Sequence, residues 1–557
     1  MLGAARKLFA SAPPLLVACG LWFALPAASL RAAEPSGAAA SEHPLVTRAA
    51  LDVLEKGGNA ADAAVAAALM AGVVSPSSSG LGGGGFALVS RPGTPEPVVL
   101  DFREVAPKGV DAAVLDRRPL APPERGHLVG VPGEARGLDE LIRRFGKRSW
   151  SELVAPAERR ARLGYPVGAH LARTLKGFAA AELKRETGLA SLFYPRGQAL
   201  AQGALVKNPK LASTLKRLGA EGPRALYEGA IAAELVSTAR AAGSSLSAED
   251  LLRYGVKERK PLHLRWADYE LYTMPLPSAG GLLLAETLGM WSREQLAALG
   301  YQSGAYQHAL AETFRSAFLD RFRYIGDPDF VPVNEQNLLA SERLAKKRSA
   351  LSLDRTHALP TLAQTEHGTH HMVCADRDGM VVSLTTTVNR VFGSKLLAPE
   401  SGIVLNDQLD DFTAARDAEL LGVTSNPNMP RPEARPVSSM TPTIVFRDGK
   451  PVLALGGSGG MAISTNVTQL LLGRLAFDRP IAELVQTPRF YVPTQGASTL
   501  LLEDGAPPAL LADLAYRGER IGKAWPVATA VQMLARTATG WEAAADPRKF
   551  GLGATSR

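Results

Sequence analysis

The sequence predicts an α+β fold. Apolar residues recur at helical spacing through most of residues 125–350. From Thr369 onward the chain turns to short runs rich in β-branched residues, and glycine-containing turns join those runs into hairpins. Helices with a few strands first and sheet second make a layered arrangement of helix on sheet.

In chain order, residues 1–33 read as an export signal. Arg6 and Lys7 start it, "LLVACGLWFAL" (15–25) is its apolar stretch, and small residues follow. That stretch is too short for a stable membrane span, and no other stretch is long and apolar enough. The expected location is the periplasm or the exterior, with anchoring through the N-terminus left open. "LVAC", ending at Cys19, resembles a lipoprotein processing box, although the apolar run continues past it. Signal removal takes Cys19 away and leaves Cys374 alone, so no intramolecular disulfide is expected. Cys374 lies in the apolar run "HMVCA" and reads as a small buried hydrophobe.

"HPLVTRAALDVLEKGGNAADAAVAAALMAGVVSP" gives two helices, the first ended by Gly57 and Gly58 and the second capped by Asn59. "SSSGLGGGGFALVS" is a glycine turn running into a strand, and "PVVLDFREVAP" follows it. The helical middle contains "GEARGLDELIRRFG", "SELVAPAERRARLG", "LASTLKRLGA" and "AYQHALAETFRSAFLDRFRYIG". "THHMVCA" and "MVVSLTTTV" are hairpin strands joined by "DRDG". "PTIVFRDGKPVLALGG" is a second hairpin around Arg447-Asp448-Gly449, and "MAISTNVTQLLLGRLA" is a helix. The four prolines of "TSNPNMPRPEARP" (424–436) make it a loop.

Composition is that of an ordinary globular protein, 46% hydrophobic and 21% charged over 557 residues. The net charge of +8, from 62 basic and 54 acidic residues, is spread without a basic block, which argues against a nucleic-acid partner.

Four motifs compete for the chemistry. His367, His370 and His371 cluster, but neighbours in a strand face opposite ways, so His370 and His371 do not share an ion, and helical HxxxH spacing is absent; no metal is expected. Gly80, Gly82 and Gly85 match G-x-G-x-x-G, yet a strand follows them where a dinucleotide site needs a helix. "GGSGG" (456–460) matches the nucleophile-elbow pattern around Ser458, but no histidine follows Ser458 to complete that fold's order. Its glycines still stand at a helix start, where N–H groups are available to an oxyanion. Thr369 remains. A threonine hydroxyl becomes a nucleophile when its own α-amine is the base, and that amine exists only once the bond after Gly368 is cut. A free α-amine titrates near neutral pH, at about 7.7–8.0.

The ordered run "THHMVCADRDG…TTTVNRVFGS…ESGIVLNDQLDDF…RPVSSMTPTIV…GGSGG" resembles the small subunit of γ-glutamyltranspeptidases. "GGNAADAAVAAAL", "SSSGLGGGGFALV", "LDFREVAP", "VGVPGEARGL", "PLPSAGG", "IGDPDF" and the terminal "AADPRKFG" resemble the same family, so the likeness covers nearly everything after the signal. It implies a four-layer αββα sandwich of the N-terminal nucleophile hydrolase type. It also implies one precursor that cuts itself at Gly368–Thr369 into a large subunit (34–368) and a small one (369–557), which stay one folded unit. By resemblance, Thr369 is the nucleophile and its amine the base. Thr387 hydrogen-bonds beside it, and Gly459 and Gly460 form the oxyanion hole. Arg103 takes the substrate α-carboxylate with Ser438 and Ser439, while Asp411 takes its ammonium with Gln408 and Asn389. The implied partners are a glutathione-like γ-glutamyl compound and an amino-acid or peptide acceptor, and no cofactor is implied.

The sequence also departs from that family. The usual Thr-Thr-His is Thr369-His370-His371, the usual serine two positions later is Val373, and "TAARDAELLGVTSNPNMPRPEARP" carries no aromatic that could lid a pocket. Two alternatives follow: a related acylase acting on glutaryl-cephalosporins or poly-γ-glutamate, and a relative that does not process and only binds γ-glutamyl ligands.

Overall fold

Side-chain alternation along two short strands explains the layering. In Gly37–Ser41, Ala39 faces one core while Ala38 and Ala40 face another. In His370–Asp376, Met372 and Cys374 join the first core, and Val373 and Ala375 the second. Such strands are covered on both faces, because period-two alternation sends apolar residues both ways. The computed structural model describes residues 37–357, 368–423, 426–493, 499–523 and 529–556. The export signal and Cys19 lie outside these residues.

The strands that matter are, in chain order, β1 (Gly37–Ser41), β2 (Gly84–Ser90), β3 (Val98–Phe102), β4 (Lys257–Arg259), β5 (Leu262–Trp266), β6 (Tyr269–Thr273), β7 (His370–Asp376), β8 (Val381–Thr387), β9 (Thr443–Arg447), β10 (Lys450–Ser458), β11 (Ala530–Thr537), β12 (Gly540–Ala545) and β13 (Leu552–Thr555). One antiparallel sheet runs β13-β1-β7-β8-β2-β3-β4, and a second runs β12-β11-β10-β9-β6-β5. Both expected hairpins are present, as β7–β8 and β9–β10. The middle of the chain is helical as expected, but it also contains β5 and β6, which extend the second sheet beside β9.

Helices cover the outer faces. On the first sheet lie α1 (Pro44–Glu55) and α2 (Ala60–Val74), with α3 (Glu134–Phe145), α4 (Trp150–Leu163) and α5 (Pro209–Glu221) sharing their core. On the second lie α6 (Ala279–Met290), α7 (Gly304–Tyr324) and α8 (Ala462–Leu475). α2 is apolar all round and built mostly of alanine, which suits a helix buried on every side. Its start is fixed by a capping box: Asn59 Oδ1 accepts from the N–H of Ala61 and Asp62 at 3.0 Å each, and Asp62 returns the contact to the N–H of Asn59 at 2.9 Å. None of the helices among the described residues is long and apolar enough to cross a membrane.

The two sheets meet where β10 crosses β7 and β8. Ser383 Oγ donates to Leu455 O at 3.1 Å, and a Cβ on Gly456 would lie 2.3 Å from the His371 ring. The site grows at that crossing.

Candidate active site

Thr369 immediately precedes β7 and is 4% exposed. Its Oγ1 donates to the carbonyl oxygen of Gly368 and lies 3.2 Å from Thr387 Oγ1. Thr387 ends β8. Its Oγ1 accepts from the N–H of Asn389 at 2.8 Å and so directs its single proton to Gly368 O, at 2.7 Å. One carbonyl therefore receives two hydroxyl donors. The bend at Asn389, with φ of 75°, carries the chain past Gly368, whose N–H donates to Asn389 O at 2.7 Å. A Cβ on Gly368 would lie 2.5 Å from Asn389 O and 2.8 Å from Arg390 O, so the position accepts only glycine without movement.

The glycine turn before β2 holds the other side of β8. Cβ atoms on Gly83 and Gly85 would lie 1.9 and 2.0 Å from the carbonyls of Thr387 and Thr385, and one on Gly82 2.0 Å from that of Val404, so these glycines allow close approach of backbones. That requirement accounts for Gly82 and Gly85 in a glycine pattern that no helix follows.

His370 and His371 leave β7 on opposite faces. His371 sits between the sheets, with Nδ1 2.8 Å from Thr385 Oγ1, and burial pushes it down to about 3. His370 faces the helical layer, where it lines a cavity of about 420 Å³ with His43, His170, Ser77 and Lys549. Among the described residues no group of three His, Cys, Asp or Glu is placed to hold a metal ion. Cys374 is buried in β7, and burial pushes its thiol up to about 12.

A hydrogen-bonded path leads from Thr387 to a buried charge pair. Asn389 Nδ2 donates to Asp407 O at 3.1 Å, and a short 3-10 turn (Gln408–Asp411) follows. Asp411 Oδ2 accepts from Arg103 Nη2 at 2.5 Å and from Gln408 Nε2 at 2.6 Å. Arg103 Nε also holds Pro436 O at 3.2 Å, which brings the segment of Ser438 and Ser439 alongside. Ser438 Oγ accepts from the N–H of Met440 at 3.1 Å, and Ser439 Oγ accepts from Arg321 Nη1. Arg118 and Arg390 flank Asp410 and fix the turn from its other side. Burial pushes the Asp407 carboxyl up to about 6, against the pull of Arg390 and Lys395.

Gly459 and Gly460 follow β10 with φ of 119° and 64° and lead into α8. Only glycine adopts these angles readily, and N–H groups this close to a helix start have no intrahelical acceptor. Their link to Thr369 is Lys549, which sequence reading passed over. Lys549 Nζ donates to Thr369 O at 3.2 Å, to Ser458 Oγ at 2.5 Å and to Glu42 Oε2 at 2.8 Å. Glu42 Oε1 accepts from the N–H of His371 at 2.9 Å, and burial raises its carboxyl despite the opposing pull of Lys549. The fold thus gathers the sequence-derived residues into one region: Thr369, Thr387 and Asn389 in direct contact, Arg103, Gln408 and Asp411 as a second cluster, and the two serines and two glycines reached through backbone neighbours. Glu42 carries no signal of spacing or motif, and Lys549 lies in the terminal "AADPRKFG" with nothing there to mark it as a site residue. They lie 507 positions apart, and only the sheet pairs them.

The sequence pattern of the γ-glutamyltranspeptidase family matches residues 46–556. The glutathione hydrolase proenzyme of Bacillus subtilis (strain 168) is 34% identical over 515 residues, covering 87% of this chain and 85% of its own. That of Pseudomonas aeruginosa (strain PAO1) is 35% identical over 567 residues, covering 97% and 99%. In fold, the chain is similar to a cephalosporin acylase from Bacillus halodurans, with a TM-score of 0.83 at 24% identity, covering 94% of this chain and 96% of that one.

Proposed function

The chain belongs to the γ-glutamyltranspeptidase family, and from that premise we propose that it cuts itself between Gly368 and Thr369 and then transfers γ-glutamyl groups through Thr369. The fold is that of the N-terminal nucleophile hydrolases. The observation that carries the proposal is the contact of Thr369 Oγ1 with the Gly368 carbonyl, which Thr387 also polarises.

In the cut, Thr369 Oγ attacks the Gly368 carbonyl carbon, its proton passes to the departing amide nitrogen, and the C–N bond breaks. Water then hydrolyses the ester, leaving Gly368 as a carboxylate and Thr369 with a free α-amine. In turnover that amine accepts the Oγ proton while Oγ attacks the γ-amide carbon of a glutathione-like substrate. The N–H groups of Gly459 and Gly460 hold the oxyanion. As the C–N bond breaks, the ammonium returns its proton to the leaving amine. Water, or an amino acid or peptide, takes the γ-glutamyl group from the ester by the same steps reversed. No cofactor enters.

Arg103 and Asp411 supply one cation and one anion for the zwitterionic end of a γ-glutamyl group, with Gln408, Asn389, Ser438 and Ser439 adding polar contacts. Arg103 and Asp411 neutralise each other until that zwitterion replaces their contact with one bond to each. A glutaryl amide lacks the ammonium and would leave Asp411 uncompensated, which favours the γ-glutamyl reading over the acylase.

The test is turnover of glutathione with and without glycylglycine, followed by chromatography of the products. Glutamate alone means hydrolysis, and a γ-glutamyl-dipeptide means transfer. Turnover of neither, or turnover unchanged in Thr369→Ala, would sink the proposal.

A further inference from the structure

The Lys549 side chain is 2% exposed, and its three hydrogen bonds run to three different segments. Three donated bonds need three N–H protons, which only the ammonium has. A buried cation therefore rests against the carbonyl of Thr369, the residue whose own α-amine acts as base in the reading above. We propose that Lys549 is a positioning residue that keeps the α-amine of Thr369 in its neutral, proton-accepting form.

The argument is one of charge and distance. The cation touches Thr369 itself, whereas its counter-ion Glu42 touches the chain at the N–H of His371, two residues further along β7. The pair therefore presents its positive end to Thr369, and the nearer charge opposes protonation of the amine from this side, while Arg390, paired with Asp410 and held by Asp407, stands on the other. The groups that face Lys549 do not supply another cation. His43 is pushed down to about 4 and His371 to about 3 by burial, and His170 and His370 are lowered well below the usual range by burial first and then by Lys549. Arg173 donates to Arg548 O and stacks on Phe550, so its charge sits beyond the turn that carries Lys549. On that turn, Arg548 pairs with Asp546 and Glu503, and Asp546 with Arg489. The bond from Lys549 to Ser458 also ties this cation to the residue before Gly459, so one side chain fixes the nucleophile strand and the oxyanion turn together.

The proposal rests on the reading of Thr369 as an autoprocessed nucleophile, and the experiment separates the two. The pH dependence of kcat/KM is measured for processed wild type, Lys549→Met, Lys549→Arg and Glu42→Gln with a chromogenic γ-glutamyl anilide. The acid limb of that profile reports the free enzyme's base. Lys549→Met moves the limb up by about one unit, Glu42→Gln moves it down, and Lys549→Arg leaves it near wild type. A purely structural role would lower the rate without shifting the limb in opposite directions. Should Lys549→Met stay uncut, the Glu42→Gln profile decides alone: a downward shift supports the proposal, and no shift or an upward one overturns it. A cut, active wild type whose variants keep its acid limb overturns this inference only. An uncut wild type overturns the underlying reading as well.

Discussion

At Gly368 a single added methyl group would already press on two backbone carbonyls. Gly368→Val is therefore expected to slow the cut by displacing the carbonyl from Thr369 Oγ1, with uncut chain accumulating on a denaturing gel. Behind Arg103 lies a second residue-scale effect. Glu104 and Glu134 are buried without exposure, and burial pushes both carboxyls up to about 8, with Arg103 opposing this for Glu104 and Glu104 adding to it for Glu134. Between their usual range and about 8 the native state holds protons on these two groups that the unfolded chain releases, so their contribution to stability falls as pH rises through that window. The slope is up to about 1.4 kcal/mol per pH unit for each group. Glu134→Gln removes one titrating group, so the excess of the wild-type urea midpoint over that of the variant should shrink from pH 5 to 8. A midpoint difference between wild type and Glu134→Gln that stays constant or grows from pH 5 to 8 would contradict the assignment.

At the scale of elements, the crossing of β10 over β7 depends on Gly456 having no side chain beside the His371 ring. Gly456→Val should lower stability by about 1–3 kcal/mol through overpacking, read as a lower Tm. Elements with a strong local signal were legible in the sequence. The β7–β8 hairpin shows in its β-branched residues and Asp-Gly turn, α2 in its asparagine cap, and α8 in its apolar spacing. β1 was not legible. "GAAAS" has no β-branched residue and is a strand because β13 and β7 pair with it on either side. β5 and β6 lie between helical patterns, and their place is set by β9, well over a hundred residues later. The site divides along the same line. Thr369, Thr387 and the two glycines before α8 sit in motifs that locate themselves. The ion pair of Glu42 and Lys549 joins the two ends of the chain and exists only in the folded sheet.

For the molecule as a whole, the proposed cut would fall between strands that cannot part easily. In the first sheet, β13, β7 and β8 from after Thr369 interleave with β1, β2, β3 and β4 from before it. β1 pairs with β13 on one side and β7 on the other, so separating the pieces would break the sheet at several seams. The two pieces should elute together in size exclusion, part only in denaturant, and unfold in one cooperative step. Elution as two separate species without denaturant would count against the interleaved sheet.

The most direct test of the central claim is N-terminal sequencing of the smaller band from purified, folded protein. The account predicts a band of about 20 kDa, roughly a third of the 58.8 kDa chain, that begins Thr-His-His and is missing in Thr369→Ala. A single uncut chain, or a smaller band beginning at any other residue, would contradict it, because Thr369 would then have no α-amine to act as base.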